Sequence, residues 1–279
     1  MLLIGLSGGI GAGKSLVCEA FARAGAEVVD SDLIAREVVA VGTPGLAEIQ
    51  LRFGHGILHA DGSLNRTALA NVVFTDEIAR ADLERITHPR IARIFQERVQ
   101  QASPGTVIVH DVPLLVETGA QDRYHLVVII EASMENRLQR LEKRGLSPEL
   151  AKTRMQNQAS DKERRKVADI VLNNDGPDSA IASIATELME HRFLPFATHI
   201  ARGVAAQPGH HCPNELSEAA AFERVLERLN AISPATHIAE NIIEINNEDD
   251  AFLRMGFVHA LGGYTSCDPG RVVRLRTLQ

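Results

Sequence analysis

At 279 residues, with 45 % hydrophobic and 23 % charged side chains, the chain has an ordinary globular composition and enough length for one full α/β domain plus something smaller. A net charge of −7 gives no support to a nucleic-acid coat, and Cys18, Cys212 and Cys267, far apart and without C-x-x-C spacing, argue against a disulfide framework or a zinc ribbon. The apolar run over residues 1–6 is short, lacks a positive flank and breaks at Ser7-Gly8-Gly9, so it reads as neither signal peptide nor membrane span, and the cytoplasm is the expected compartment.

In chain order, that run predicts a first strand over residues 2–6. Gly8-Gly9-Ile10-Gly11-Ala12-Gly13-Lys14-Ser15 follows and fits the phosphate-cradling pattern G-x-x-x-x-G-K-[ST]. Glycines let backbone N–H groups turn around an anion, Lys14 reaches the outer phosphates, and the Ser15 hydroxyl suits Mg²⁺. Leu16, Val17, Ala20, Phe21 and Ala24 then recur at helical spacing, so a helix over residues 14–24 presents its positive dipole end to the phosphate; Cys18 inside it reads as packing.

A second strand over residues 27–29 ends in Asp30-Ser31-Asp32. The carboxyl ends of parallel strands form the ligand crevice of such folds, and a phosphoryl acceptor hydroxyl needs a carboxylate to take its proton. Ser31 or Asp32 also suits the cap of a following helix, so one acid caps while the other acts as base. Residues 32–104 form a mostly helical insertion where an acceptor would be held. A third strand over residues 106–109 leads to His110 and Asp111; an apolar strand ending in Asp resembles the second motif of nucleotide triphosphatases, whose carboxylate holds Mg²⁺.

Strands over residues 126–130 and 170–172 complete an alternating α/β pattern, which predicts a five-stranded parallel sheet flanked by helices. Between them lies the main concentration of positive charge. The chain has five lysines, and four of them fall in residues 137–166 with six arginines against four acids, a segment of net +6. Beside a phosphate loop, such a run supplies the cations that cover a transferring group. A helix over residues 178–193, ended by Pro195, closes the unit. Residues 199–213 read as a linker; its His210-His211-Cys212 lacks the regular four-ligand spacing of a closed metal site. Residues 214–279 form a small extension with a helix over residues 216–229 and a strand over residues 241–245. A guanine-reading Asn-Lys-x-Asp motif, which a regulatory switch would carry, does not occur; the nearest string is Ser160-Asp161-Lys162-Glu163.

In order and spacing, these blocks resemble the dephospho-coenzyme A kinases over residues 1–196. The carrying residues are the loop, Val29-Asp30-Ser31-Asp32 with Ala35-Arg36, Gly42-Thr43-Pro44, Asp61-Gly62-Ser63-Leu64-Asn65-Arg66, His88-Pro89, Val112-Pro113-Leu114-Leu115-Val116-Glu117, Arg140 and Arg144, Gln158-Ala159-Ser160, and Ala168-Asp169 with Asn173. The resemblance implies a P-loop NTPase fold over residues 1–198 with a helical acceptor-binding insertion and a lid. The implied reaction is ATP-dependent phosphorylation of the ribose 3′-hydroxyl of dephospho-coenzyme A, the last step of coenzyme A synthesis. It makes Asp32 the general base and Lys14 and Arg140 the cations on the γ-phosphoryl group. ATP is implied to bind at Gly9, Ile10, Gly11, Ala12, Gly13, Lys14, Ser15, Leu16, Arg144 and Asn173, with Mg²⁺ at Ser15 and Asp111. The acceptor is implied to meet Asp32, Arg36 and two turns, one carrying His88-Pro89 and the other Pro113, Leu114 and Leu115. The implied partners are the two small-molecule substrates, without nucleic acid or membrane. Residues 199–279 lie outside this pattern. Ile242-Ile243-Glu244-Ile245, Met255-Gly256-Phe257 and Asp268-Pro269-Gly270-Arg271 faintly resemble parts of a nucleotidyltransferase-like domain fused to some actinobacterial relatives, which suggests a remnant with a structural or interaction role.

Overall fold

A computed structural model of the chain describes residues 1–207, 213–239, 241–247 and 249–277. In chain order its elements are β1 (Leu2–Gly8), α1 (Lys14–Arg23), β2 (Glu27–Asp30), α2 (Ser31–Val38), α3 (Pro44–Phe53), α4 (Arg66–Val73), α5 (Glu77–Gln101), β3 (Val107–Asp111), β4 (Leu126–Glu131), α6 (Met134–Lys143), α7 (Pro148–Gln156) and α8 (Asp161–Val167). Then follow β5 (Ile170–Asn173), α9 (Asp178–Leu188), α10 (Leu194–Arg202), α11 (Glu218–Asn230), β6 (Ala235–Ala239), β7 (Ile242–Ile245), α12 (Ala251–Arg254), β8 (Phe257–Ala260), β9 (Gly263–Ser266) and β10 (Arg274–Thr277). By internal contacts the chain divides into two compact units, residues 1–29 with 103–279, and residues 30–102.

The first unit is built on a parallel sheet of order β2-β3-β1-β4-β5. Every residue of central β1 is buried, as expected of a strand covered on both faces. Each of the five expected strands is present and runs one or two residues past its apolar core at the carboxyl end. Register explains this: Leu6 pairs with Asp111, Gly8 with Ile130, and Glu131 with Asn173, so neighbouring backbone continues the ladder where the side chains turn polar. Val17 and Phe21 of α1 and Ile181, Ala185 and Leu188 of α9 pack with Leu2, Ile4 and Leu6 in one core.

Pro195 does not end the last helix. α9 passes through one π-helical turn, Met189–Phe193, into α10, which carries Pro195 in its first turn and stops at left-handed Gly203 (φ 61°). A missing N–H costs least in a first turn, and the widened π-turn relieves the ring's clash with the preceding carbonyls. The turn also buries Phe193 against Phe21, with ring centroids 5.6 Å apart. The helix therefore runs through residues 199–202, the start of the expected linker, while His210-His211-Cys212 lies outside the described residues.

Residues 213–277 add α11 and a second five-stranded sheet, β6-β7-β10-β9-β8, around Leu229, Ile243, Ile245, Phe252, Tyr264 and Leu275. By internal contacts this sheet belongs to the same compact unit as the first. Specific contacts account for that. Arg192 donates to both carboxylate oxygens of Asp268, at 3.0 and 2.7 Å, with both side chains buried. Arg228 donates to the carbonyls of Tyr124 and His125 at 2.5 and 2.6 Å and lies 3.4 Å from the buried Asp169 carboxylate. Asn214 accepts from the Val171 N–H at 2.9 Å, and the Glu215 N–H donates to the Val171 carbonyl at 2.9 Å, which covers the outer edge of β5.

The second unit is helical, α2 to α5, and its helix starts are written in capping residues: Asp30, Thr43, Asn65 and Asp76 each accept from first-turn amides. The expected turn at His88-Pro89 is instead the middle of α5, a helix of 25 residues. Side chains on either side of the proline bond back to the helix and to α3. The Thr87 hydroxyl donates to the Leu83 carbonyl at 2.9 Å, and Arg90 donates to the Ile86 carbonyl and to Glu48, each at 2.6 Å. Packing of α2, α3 and α4 along α5 holds the rest.

Candidate active site

The loop between β1 and α1 has few internal bonds of its own. The Ala12 N–H donates to the Gly9 carbonyl at 3.0 Å and the Leu16 N–H to the Gly13 carbonyl at 3.2 Å. Among the described residues, the N–H groups of Gly11, Gly13, Lys14 and Ser15 have no protein acceptor, which leaves a row of donors at the start of a ten-residue helix. Gly13 caps that helix with φ 98°, in the left-handed region, and a Cβ there would meet the Asn174 amide. Ser15 is exposed, and the Lys14 side chain makes no ion pair among the described residues. Leu16, expected at the nucleotide, packs its side chain on the core beneath the loop.

The loop is held from outside by side chains of α6 and of the segments flanking α8 and β5. Arg137 Nε donates to the Ile10 carbonyl at 3.0 Å, and Gln158 Oε1 accepts from the Ile10 N–H at 2.8 Å. Arg140 donates to the Ala12 carbonyl at 3.2 Å and to the Asn174 carbonyl at 2.7 Å, and Asn174 Nδ2 donates to Ala12 at 2.8 Å. Carbonyls that would repel a phosphate are thereby occupied by donors. Burial lowers the Arg137 pKa from its ordinary value, and the Asp161 carboxylate opposes that shift.

Of the side chains that brace the loop, the sequence pointed to Arg140 alone as a site residue. Asn173 is exposed and bonds to Asp175, donating to Oδ2 at 3.1 Å and accepting from its N–H at 2.8 Å; its neighbour Asn174 meets the loop. A strand's side chains alternate, so which of two adjacent asparagines turns inward depends on register that composition does not carry. Arg137 stood within the basic segment and Gln158 within a motif block, but neither spacing separated a loop brace from a solvated charge. Arg144 lies exposed at the end of α6.

Asp111 ends β3 beside Leu6 of β1, with Cys18 Sγ 3.8 Å from its Oδ2. His110 is buried, and its Nδ1 lies 2.9 Å from the Tyr124 hydroxyl, a structural pairing. Pro113, Leu114 and Leu115 do form a turn. Leu114 is half exposed, whereas Leu115 is fully buried and anchors the turn.

In the second unit, Asp30 takes the capping role, accepting from the N–H groups of Asp32 at 2.7 Å and Leu33 at 3.2 Å. Neither Ser31 nor Asp32 is the cap. The Asp32 carboxylate is exposed in the first turn of α2, Arg36 is exposed in its last turn, and His88 is exposed on α5.

A buried parallel strand, a glycine-rich turn with open amides and a helix beginning Lys-Ser define a P-loop nucleotide-binding α/β protein. Within that class, the family model described as Dephospho-CoA kinase matches residues 2–179, and the chain belongs to that family. Similar curated proteins carry the same description. One from Mycolicibacterium paratuberculosis is 45 % identical over 235 residues, 84 % of this chain and 58 % of the relative. Others are from Frankia casuarinae, 46 % over 196 residues (69 % and 86 %), and Thermobifida fusca, 44 % over 191 residues (68 % and 96 %). The match thus spans less than two thirds of the Mycolicibacterium relative's own length. Among solved structures, a Thermus thermophilus protein superposes with a TM-score of 0.59 at 31 % identity, covering 68 % of this chain and 97 % of that one. A structure described as Dephospho-CoA kinase from Campylobacter jejuni gives 0.53 at 25 % identity, covering 72 % and 98 %. Among the described residues, no helix is long and apolar enough to cross a membrane.

Proposed function

We propose that the chain transfers the γ-phosphoryl group of ATP to the ribose 3′-hydroxyl of dephospho-coenzyme A, giving coenzyme A and ADP, the final step of coenzyme A synthesis. The observation that carries this reading is the row of unengaged amides at Gly11, Gly13, Lys14 and Ser15, lying inside the segment that matches the family model. Those amides cradle the nucleotide's phosphates, and the Lys14 ammonium reaches the outer ones. Arg140 adds positive charge from its braced position beside Ala12. Asp32 orients the acceptor hydroxyl and takes its proton as the new O–P bond forms. The bond from the γ-phosphorus to the bridging oxygen breaks with its electron pair, and ADP leaves.

Arg36, His88, Pro113 and Leu114 are the acceptor-side residues of this reading, while Leu115 is buried and anchors its turn. Arg144 and Asn173 complete the nucleotide side, and the lid that the resemblance puts in residues 137–166 closes to exclude water with those parts of the segment that do not brace the loop. The oxygen donors Ser15 and Asp111 suit Mg²⁺, a hard cation that uses one or two protein oxygens and fills its shell with phosphate and water. Bound there, Mg²⁺ would neutralise charge on the transferring group. The chain acts in the cytoplasm on these two small molecules, without nucleic acid.

Incubation with γ-labelled ATP tests the acceptor atom. Label should pass to dephospho-coenzyme A and not to its 3′-deoxy analogue; labelling of both equally would remove the ribose 3′-hydroxyl from the reaction.

A further inference from the structure

A closed ring of polar contacts begins and ends at Ile10 of the phosphate loop. The Ile10 carbonyl accepts from Arg137 Nε, and Arg137 Nη1 lies 3.6 Å from Asp161 Oδ1. The same oxygen accepts from Arg164 Nη1 at 2.9 Å, and Arg164 Nη2 lies 3.9 Å from Glu117 Oε1. Glu117 Oε1 in turn accepts from the Ala159 N–H at 2.8 Å, and the adjacent Gln158 returns to the Ile10 N–H. Both guanidiniums are buried, with side-chain exposures of 6 and 3 %.

This ring joins the phosphate loop, the basic segment over residues 137–166, and the turn after β3 that bears Pro113 and Leu114, three segments with different expected roles. Its two cations and two carboxylates sum to zero charge. Arg137 touches the loop from behind: a Cβ at Gly9 would strike its guanidinium, and one at Gly11 would meet its backbone carbonyl at 2.8 Å. On its other side Arg137 faces Asp161, which it shares with Arg164. The Nη2 of Arg164 is buried and makes no hydrogen bond among the described residues, so Glu117 holds it by charge at a distance.

We propose that Arg137 is a positioning residue for the phosphate loop, held in place by Asp161, Arg164 and Glu117, so that Glu117 governs nucleotide binding without touching the nucleotide. The inference rests on the reading that residues 8–15 bind ATP. It makes a prediction whose sign is opposite to that of simple electrostatics. Glu117→Gln and Asp161→Asn each remove a negative charge near the loop, and by charge alone each should tighten binding of an anion. Loosening of Arg137 instead makes each variant bind ATP more weakly.

The experiment is a titration of wild type, E117Q, D161N and the double variant with MgATP, without acceptor, well below the thermal midpoint of each. The amide side chains keep hydrogen-bond acceptance and size, whereas truncating buried Arg164 risks unfolding. Each single variant should raise the Kd by roughly threefold or more, and the double variant should be little worse than the poorer single, since all act through one ring. A general loss of stability would leave the folded fraction binding normally. Binding by either single variant as tight as wild type or tighter, or losses that simply add, would overturn the ring. A wild-type chain that bound no ATP would overturn both the ring and the nucleotide-binding reading.

Discussion

Asp30 and Asp32 divide two roles that sequence placed on either acid. Asp30 spends its carboxylate on the first-turn amides of α2, and the exposed Asp32 carboxylate has no part in the cap. If Asp32 is the base, Asp32→Asn should retain ATP binding but lose about two to four orders of magnitude in kcat with dephospho-coenzyme A. Near-normal turnover would remove it from the mechanism. His125 supplies a second residue-level test. Its Nδ1 accepts from the Leu3 N–H at 3.0 Å, and burial, followed by the Arg228 charge, pushes its pKa down to about 4. Between about 6.5 and 4 the unfolded chain takes up a proton that the folded chain refuses, so stability falls with pH through that window and levels off below it. Denaturant unfolding of His125→Asn should lose this step, and an unchanged profile would show that His125 is not its source. Residue identity in the Lys14-Ser15 pattern was legible because the chemistry fixes residue types at fixed spacing. Asn173 against Asn174, and Arg137 against a solvated arginine, were not, because inward orientation is set by register and packing.

Helices and strands were legible mainly where hydrophobic periodicity was unbroken. All five strands of the first sheet could be read, because buried parallel strands are short continuous apolar runs. Pro89 and Pro195 were misread as breaks, since local propensity was overridden by packing along α5 and by the π-turn before α10. The loop and α1 form the element to which the proposal assigns phosphate binding. Gly13→Ala would place a Cβ at φ 98° against the Asn174 amide. Backbone strain of about 1–3 kcal/mol should follow. Calorimetric titration should then show ATP binding roughly tenfold weaker or lost. Full affinity would mean the loop reaches its bound shape by another route.

At the scale of the whole molecule, residues 213–277 share a compact unit with the first sheet, a relation no motif announced because it rests on buried arginines far apart in sequence. Arg192→Met would leave buried Asp268 without its ion-pair partner, and should lower stability by roughly 3–5 kcal/mol in urea unfolding. A cost below about 1 kcal/mol would show that water or relaxation replaces the pair. Asp169 is similarly placed, accepting from the Val127 N–H at 2.8 Å beside Arg228. Deleting residues 199–279 should therefore lower the melting temperature of the remaining chain, and an unchanged melting temperature would make the second sheet a passenger. Coupled ADP release reads whether the braced phosphate loop serves phosphoryl transfer to one acceptor. With MgATP fixed, dephospho-coenzyme A should accelerate release far above the rate with adenosine or with water alone. Equal rates with and without dephospho-coenzyme A would contradict it.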